Sequence, residues 1–406
     1  MGEENLWAAK AVNFMSSFLG AAQAVFLPVF FSAYFDKFQI GVLAAIPCVC
    51  SFLGPPIWGA VADILRQQRG VHIFCLVSAS VLLFTLQYTG HSFYLTCAIV
   101  FLGNFQGACT GALLDQTIMA LVERVGGEYG KQRLFGAIGW GISAFIIGLV
   151  VNAYGIEWSF YINLISLVPT LIALSYIPPP DVTVHAADES SPKLSFSEGL
   201  AQAFKKADVL LLLVVILLTG IMFGIVTSFL TLNLFELSDN STTLIGIAIW
   251  LETLSELPAF FFADTLLKKL GIVNTLAISI LGYAARITCY ALMTEAWMAL
   301  PFELLHGCTF ALSWAAFNKY IYDSSPRGTA GTMMGVLNSM NGVGRGFGIL
   351  FGGYLYQGYG ARTLWWVTDL GVPLAFLGLF FFSKALPDAS TQQEVVRLIP
   401  AKEEVA

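Results

Sequence analysis

The sequence predicts an all-α membrane protein of about twelve transmembrane helices, arranged as two pseudo-repeated six-helix bundles. Hydrophobic residues make up 57% of the 406 residues and charged residues 11%, whereas soluble domains average about 45–50% and about 25%. Apolar stretches of the roughly 20 residues that a spanning helix needs recur along the whole chain. Similar residue patterns also end corresponding stretches in the two halves of the chain, which indicates an internal repeat.

Twelve apolar spans, numbered 1 to 12 in chain order, can be placed on the sequence. Those of the first half are residues 11–34, 39–62, 71–90, 93–116, 132–153 and 157–177. Those of the second half are residues 209–235, 243–266, 272–293, 297–319, 328–356 and 362–385. Lys and Arg gather on one side of this arrangement, which the positive-inside rule assigns to the cytoplasm. We therefore expect a multi-pass protein of the cell membrane with both termini in the cytoplasm.

One long polar stretch sets the predicted domain boundaries. It starts at Pro178-Pro179-Pro180 and ends at Asp208. We expect an N-terminal six-helix bundle over 1–178, a cytoplasmic linker over 179–208, a C-terminal six-helix bundle over 209–386 and a cytoplasmic tail over 387–406.

Several classes of function lack their signatures in this sequence. There is no basic arm for nucleic acid, no GxxxxGK[ST] loop for ATP and no HExxH zinc pattern. The seven cysteines all fall in apolar stretches, where thiols are ordinary packing residues. We therefore expect no enzyme activity, no cofactor and no metal site. The prediction is a monomer in the lipid bilayer that handles a small molecule and draws on an ion gradient.

Ionisable side chains inside the spans are the most informative feature of the chain. A charge at the bilayer centre costs about 2.5–3.5 kcal/mol on insertion scales, so such residues usually face a polar cavity or one another. The residues concerned are Asp115, Glu252, Glu256, Arg286, Glu303, His306 and Arg345. They indicate a path for a solute or an ion.

The ends of spans 2 and 8 repeat one pattern. Span 2 ends in Gly59-x-x-x-Asp63-x-x-Arg66, and span 8 carries Asp264 at the matching place. Two such halves joined by a long inner loop resemble the major facilitator superfamily, in which the solute binds at midplane between the halves. The resemblance implies an inner gate, where Gly59 permits close helix approach and Asp63 pairs with an arginine. A solvated turn is the alternative, because Arg66 carries its charge later than is usual in that family.

The stretch that leads from span 4 into span 5 is a more specific pattern. Asp115 lies in span 4, and Tyr129-Gly130-Lys131-Gln132-Arg133 precedes Trp140 in span 5. It resembles the oligosaccharide:proton symporters, the family of lactose permease, and the related phenylpropionate permeases. The resemblance implies that Asp115 and Arg133 bind solute hydroxyls and that Trp140 stacks on a sugar ring. The alternative is a structural pair that closes the inner gate, with Trp140 as plain packing.

Spans 8 to 10 carry another group that resembles the same family. Glu252 and Glu256 are four residues apart, which places them on one helix face. Arg286 and His306 have the same spacing as in lactose permease. The resemblance implies that Glu252 links the solute to the proton, while Arg286 and His306 tune a protonatable acid of span 10.

That span 10 acid is missing, because its position holds Thr309. We therefore expect Glu256 or Glu303 to carry the proton, since a low-dielectric setting favours the protonated form of an acid. A neutral, purely structural hydrogen-bond cluster is the alternative. In span 11, Arg345 sits in a glycine-rich run that permits close packing. We expect Arg345 to face the cavity, where it binds an anionic group or pairs with Glu303 or Glu256.

The combined patterns predict a secondary active transporter that works by alternating access. Proton symport of a sugar or nucleoside is the favoured activity, with Asn104 and Asn341 as further polar contacts to the solute. An aromatic carboxylate is the rival solute, since the Asp–Arg element also occurs in the phenylpropionate permeases. A membrane receptor that keeps the fold without transport is the second functional class.

Overall fold

A computed structural model describes residues 2–89, 92–125, 128–177, 205–325 and 330–386. These ranges are helical, without β-strands, and contain nine helical stretches that are long and apolar enough to cross a membrane. The helices of the first half are Gly2–Ala24, Leu27–Ser32, Lys37–Leu65, Gln68–Phe84, Phe93–Gly107, Thr110–Val125, Tyr129–Tyr154 and Glu157–Ser175. Those of the second half are Ala207–Leu237, Thr242–Leu292, Leu300–Glu303, Ser313–Ser324, Ala330–Asp369 and Gly371–Ala385.

Two helical stretches are too long for a single crossing. Thr242–Leu292 has 51 residues, about 77 Å at the helical rise, against a hydrocarbon core of about 30 Å. It is interrupted at Gly271, where φ is 73°, and Ala330–Asp369 is interrupted at Gly360, where φ is 79°. Glycine adopts this left-handed conformation without a Cβ clash. Dividing both stretches there, and adding the irregular segment 296–324, gives twelve crossings in the described part of the chain.

The spans differ from the sequence prediction at their edges. Span 4 runs from Phe93 to Val125, with a break at residues 108–109, so it ends well beyond the predicted residue 116. Span 7 starts at Ala207, two residues before its predicted start. Most of the predicted linker and the whole predicted tail lie outside the described residues, and the domain boundaries stay predictions.

The two halves touch at one end of the spans, which we call the closed end. Gly148 of span 5 packs on Gly246 of span 8, and Gly41 of span 2 packs on Gly353 of span 11. A Cβ on Gly148 would lie 2.8 Å from the carbonyl oxygen of Thr242. The Thr242 hydroxyl donates to the Gly148 carbonyl oxygen at 2.9 Å. Small residues thus bring the backbones of opposite halves into direct contact.

Polar side chains also join the halves at the closed end. The Lys37 ammonium lies 2.7 Å from the Glu236 carboxylate, and the Tyr356 hydroxyl donates to the other oxygen of that carboxylate at 2.6 Å. The Lys37 backbone N–H donates to the Gln357 side chain at 2.9 Å. Lys37 therefore connects the first half of the chain to spans 7 and 11 of the second.

The opposite end, which we call the open end, lacks such packing among the described residues. A Cβ added to Gly59, Gly130 or Gly335 would meet no heavy atom within 4 Å. The Arg133 side chain is 62% exposed, and Asp264 is exposed. The halves therefore enclose a cleft that is sealed at the closed end and accessible from the open end.

Candidate solute and proton site

The first half contributes an ion pair near the open end of the cleft. The Arg133 guanidinium donates to the Asp115 carboxylate at 2.6 Å and to the Tyr129 hydroxyl at 3.0 Å through the same nitrogen. The other guanidinium nitrogens stay available, because the side chain is mostly exposed. This arrangement offers both carboxylate acceptors and guanidinium donors to a molecule in the cleft.

Trp140 lies on the same face of span 5 as Arg133. The two residues are seven apart, close to two full turns of helix, so their side chains project in similar directions. The Trp140 ring lies near Gly20 of span 1, where an added Cβ would be 3.7 Å away. The indole is partly exposed, which leaves ring surface for a solute.

The second half contributes a buried network centred on Arg286. Its Nε donates to the Tyr290 hydroxyl at 2.8 Å. Its Nη1 reaches His306 Nδ1 at 2.8 Å and the Thr309 hydroxyl at 3.0 Å, and its Nη2 donates to Glu252 at 2.8 Å and Glu303 at 2.5 Å. A guanidinium has five N–H donors, so every one of them has an acceptor.

The contacts of the network favour one proton position on His306. Arg286 can only donate, so His306 Nδ1 accepts. The remaining ring nitrogen, Nε2, lies 2.9 Å from a Glu256 carboxylate oxygen. A neutral imidazole with its proton on Nε2 satisfies both contacts, and it makes His306 the bridge between Arg286 and Glu256.

Two acids of the network differ sharply in their surroundings. The Glu303 side chain is 0% exposed. One of its carboxylate oxygens accepts from Arg286 and the other from Tyr290, so both oxygens have a hydrogen-bond donor. The Glu256 side chain is 17% exposed, and among the described residues its partner is His306. The sequence predicts Glu256 or Glu303 as the proton carrier. Of these two carboxylates, that of Glu256 is more exposed and has fewer hydrogen-bond partners among the described residues.

The charges of the network do not balance when every acid is ionised. With His306 neutral, the ionised side chains of Glu252, Glu256 and Glu303 face the single positive charge of Arg286. An excess of two negative charges is costly in a low-dielectric interior.

Span 10 is broken where it supplies these side chains. The helix Leu300–Glu303 ends in a turn, and a π-helical turn follows over Gly307–Leu312. Ser255 accepts from the Gly307 backbone N–H at 2.8 Å, and Ser279 donates to the Cys308 carbonyl oxygen. Neighbouring serines thus satisfy backbone groups that an unbroken helix would pair internally. The break lets Glu303 and Thr309 reach the same guanidinium.

The two groups of side chains meet at midspan through a small contact. An added Cβ on Gly141 of span 5 would lie 2.6 Å from the Thr253 hydroxyl of span 8. Gly141 directly follows Trp140, and Thr253 directly follows Glu252. The contact therefore joins the solute-facing side of the first half to the network of the second.

The other predicted residues fall outside this arrangement. The Asn104 amide donates to the carbonyl of Val100 in its own helix at 2.8 Å, and Asn341 is half-buried. The close approach expected at Gly59 is absent from this conformation, because the halves are apart at the open end. Arg66 is exposed there with φ of 52°, and the Asp63 side chain lies outside the described residues.

Of the two alternatives for Arg345, pairing with Glu303 or Glu256 is not seen in this conformation, and binding of an anionic group stays a prediction. Glu303 forms an ion pair with Arg286, and Glu256 contacts His306. Arg345 instead lies over the Phe223 ring, with its guanidinium carbon 5.0 Å from the ring centre. Sequence reasoning also missed Tyr290, although its spacing of four residues from Arg286 places both on one helix face.

The sequence signature of the MFS_1 like family matches residues 6–367. The chain belongs to this family. The chain is also similar to proteins named as sugar permeases. The maltose permease of Geobacillus stearothermophilus is 25% identical over 329 residues, covering 78% of this chain and 79% of the relative. The melibiose permease of Enterobacter cloacae is 22% identical over 342 residues, covering 78% of each chain.

Solved structures show the same fold as this member of the MFS_1 like family. A mutant form of the nucleoside transporter NupG superposes with a TM-score of 0.81 at 18% identity, covering 94% of this chain and 100% of that one. A bacterial homologue of the human lysosomal transporter Spinster, in an inward-facing conformation, gives 0.71 at 14% identity, with coverage of 96% and 99%. The protein is an integral, multi-pass membrane protein with the fold of a secondary transporter.

Proposed function

We propose that the protein is a proton-coupled symporter of a small hydroxylated solute, a sugar or a nucleoside. The observation that carries the proposal is the Arg286 network, in which Glu303 is fully buried while Glu252 and Glu256 are 13% and 17% exposed and both contact His306. The names of the maltose and melibiose permeases support a sugar, and the fold shared with NupG is compatible with a nucleoside.

The solute would bind between the two halves. Asp115 accepts hydrogen bonds from its hydroxyl groups, and the free donors of Arg133 bind its oxygens in a fork. The exposed indole of Trp140 covers an apolar ring face. Glu252 lies across the Gly141–Thr253 contact and couples this region to the network.

Proton binding would act through His306. Glu256 binds the proton, because its carboxylate borders the cleft and accepts from the Nε2–H of His306. A protonated Glu256 attracts that N–H less, so the imidazole is freed to turn, and Arg286 Nη1 loses the acceptor that Nδ1 provides. Glu303 is a fixed counter-ion of Arg286 in this scheme, not the carrier.

The open end would face the cytoplasm, which makes this an inward-facing conformation. Alternating access then requires the closed end to part and the open end to close, with Asp63, Arg66 and Asp264 in the inner gate. A monomer with both termini in the cytoplasm, placed in the cell membrane, fits this scheme. We infer a transport role without catalysis, since the family and its relatives are transporters.

Counterflow in proteoliposomes tests the proposal. Liposomes preloaded with one candidate are assayed for exchange of labelled sugars, nucleosides and aromatic carboxylates. We expect exchange of a hydroxylated solute that Asp115→Asn reduces by about tenfold or more, since hydrogen bonds to charged groups contribute about 1.5–3 kcal/mol. Exchange confined to aromatic carboxylates would refute the solute class, and ligand-induced stabilisation without any exchange would indicate a receptor.

A further inference from the structure

Arg345 differs from Arg286, the fully buried arginine of the cleft region, because its side chain is half-buried and only its Nε is enclosed. Arg286 uses all five of its N–H donors. Among the described residues, Arg345 has no carboxylate partner, and its buried Nε has no hydrogen-bond acceptor. The guanidinium is held by the Phe223 ring instead, through a cation–π contact. Arg345 is thus positioned but not neutralised.

The position of Arg345 is at the boundary between the two halves. The next residue, Gly346, packs against Cys48 of span 2, where an added Cβ would lie 3.6 Å from the cysteine Cβ. On its other side, the Phe223 ring stacks on Phe310 at 5.1 Å between ring centres and lies 6.1 Å from the His306 ring. Arg345 therefore stands next to the proton-binding network, at the level where the halves meet.

We propose that the transported solute carries an anionic group, a carboxylate or a phosphate, and that Arg345 binds it. A guanidinium that is partly removed from water without a counter-ion loses hydration that nothing replaces, and a solute anion supplies the missing charge during binding. Its planar donors match the oxygens of either group in a two-pronged contact. This inference rests on the proposed transport function and names the kind of hydroxylated solute, such as a sugar acid or a sugar phosphate.

The proposal has an electrical consequence that a neutral solute does not share. A monoanion that crosses with one proton moves no net charge. A neutral sugar that crosses with one proton moves one positive charge. The current produced per solute therefore reports the charge of the solute, independently of how tightly it binds.

The experiment uses matched pairs that differ in one anionic group: glucose with glucuronate, galactose with galacturonate, glucose with glucose 6-phosphate, and uridine with uridine 5′-monophosphate. Competition in counterflow and transport current on a supported membrane are measured for wild type, Arg345→Gln and Arg345→Lys. The matched control is Lys384→Gln, which removes a cation that lies 5.8 Å over Phe380 in span 12.

We expect an acid to compete at least about tenfold better than the matched neutral solute. A carboxylate should move with little current, whereas a phosphate ester, which carries about 1.5–2 negative charges at pH 7, should move with a current opposite in sign to that of a neutral sugar. Arg345→Gln should remove that preference, Arg345→Lys should retain part of it, and Lys384→Gln should leave it unchanged. The pairs with carboxylates and with phosphates show which anion is taken. This inference would be overturned if the neutral solutes competed as well as the matched acids and Arg345→Gln left the current unaltered. The proposed transport function would not be affected by that result. Exchange of no member of the panel would contradict the proposed function itself.

Discussion

At the scale of single residues, the saturated guanidinium of Arg286 organises the second half of the molecule. The buried carboxylate of Glu303 has two donors, Arg286 and the hydroxyl of Tyr290. Removing one partner of a buried ion pair is costly because the other charge is left unpaired. The stability of the network therefore depends on keeping its charges matched more than on any one hydrogen bond.

Replacing Arg286 by methionine should destabilise the protein by about 3–5 kcal/mol, because Glu303 would be left as a buried, unpaired carboxylate. Thermal unfolding in detergent measures the effect. The double variant Arg286→Met/Glu303→Gln should recover part of the loss, since it removes the orphaned charge as well.

The matched control for this change is Lys319→Met. Lys319 pairs with Asp323 at 3.0 Å, but both side chains are about half exposed, and such pairs contribute about 0–1 kcal/mol. If Arg286→Met lowered stability no more than Lys319→Met does, the network would not be the structural centre described here.

At the scale of elements, the glycine contacts decide where the halves can meet. The backbone of Gly246 packs on span 5, and an added Cβ would lie 2.8 Å from the Ala144 carbonyl oxygen. A backbone atom cannot rotate away as a side chain can. The contact between spans 5 and 8 therefore tolerates little added volume, and it holds the closed end together.

Gly246→Val should force spans 5 and 8 apart and shift the molecule away from the conformation with a sealed closed end. Spin labels on Tyr154 and Asp239, both exposed at that end, report the separation. We expect a longer and broader distance distribution in the variant. Gly111→Ala is the control, because an added Cβ there meets open space; equal distributions in both variants would contradict the role of the contact.

The spans could be predicted from the sequence, but only part of the candidate site could. The apolar runs predicted twelve crossings because span length follows from bilayer thickness. The break in span 10 could not be predicted, since it depends on Ser255 and Ser279 from other spans. The pairing of Glu303 with Arg286 follows from that break, and spacing along the chain gave no sign of it. The sequence left two alternatives for Arg345, an anionic group or one of the acids, because the other partners of those acids were not visible in the sequence.

At the scale of the whole molecule, the arrangement is a cleft whose closed end is fastened by Lys37 and Glu236. Their side chains are 32% and 37% exposed, so solvent weakens the attraction. The pair nevertheless crosses from one half to the other, and Tyr356 fixes the same carboxylate. A modest interaction at this place biases the equilibrium between the two conformations of the transporter.

Lys37→Met should shift the population toward a parted closed end by about two- to fivefold, the range expected for a bridge contributing about 0.4–1 kcal/mol. The same spin-label pair measures it. The charge-reversed pair, Lys37→Glu with Glu236→Lys, should restore most of the original distribution. A reversed pair no closer to wild type than Lys37→Met alone would show that the charges do not hold this end.

The most direct test of the central claim is solute-driven proton movement into proteoliposomes, followed with a pH-sensitive dye outside the vesicles. We expect the exchanged solute to cause external alkalinisation in wild type. Glu256→Gln should abolish this signal while counterflow of the same solute persists, because the substituted side chain cannot carry the proton but still accepts from His306. Unimpaired proton movement in Glu256→Gln would contradict the role of Glu256 as the proton carrier.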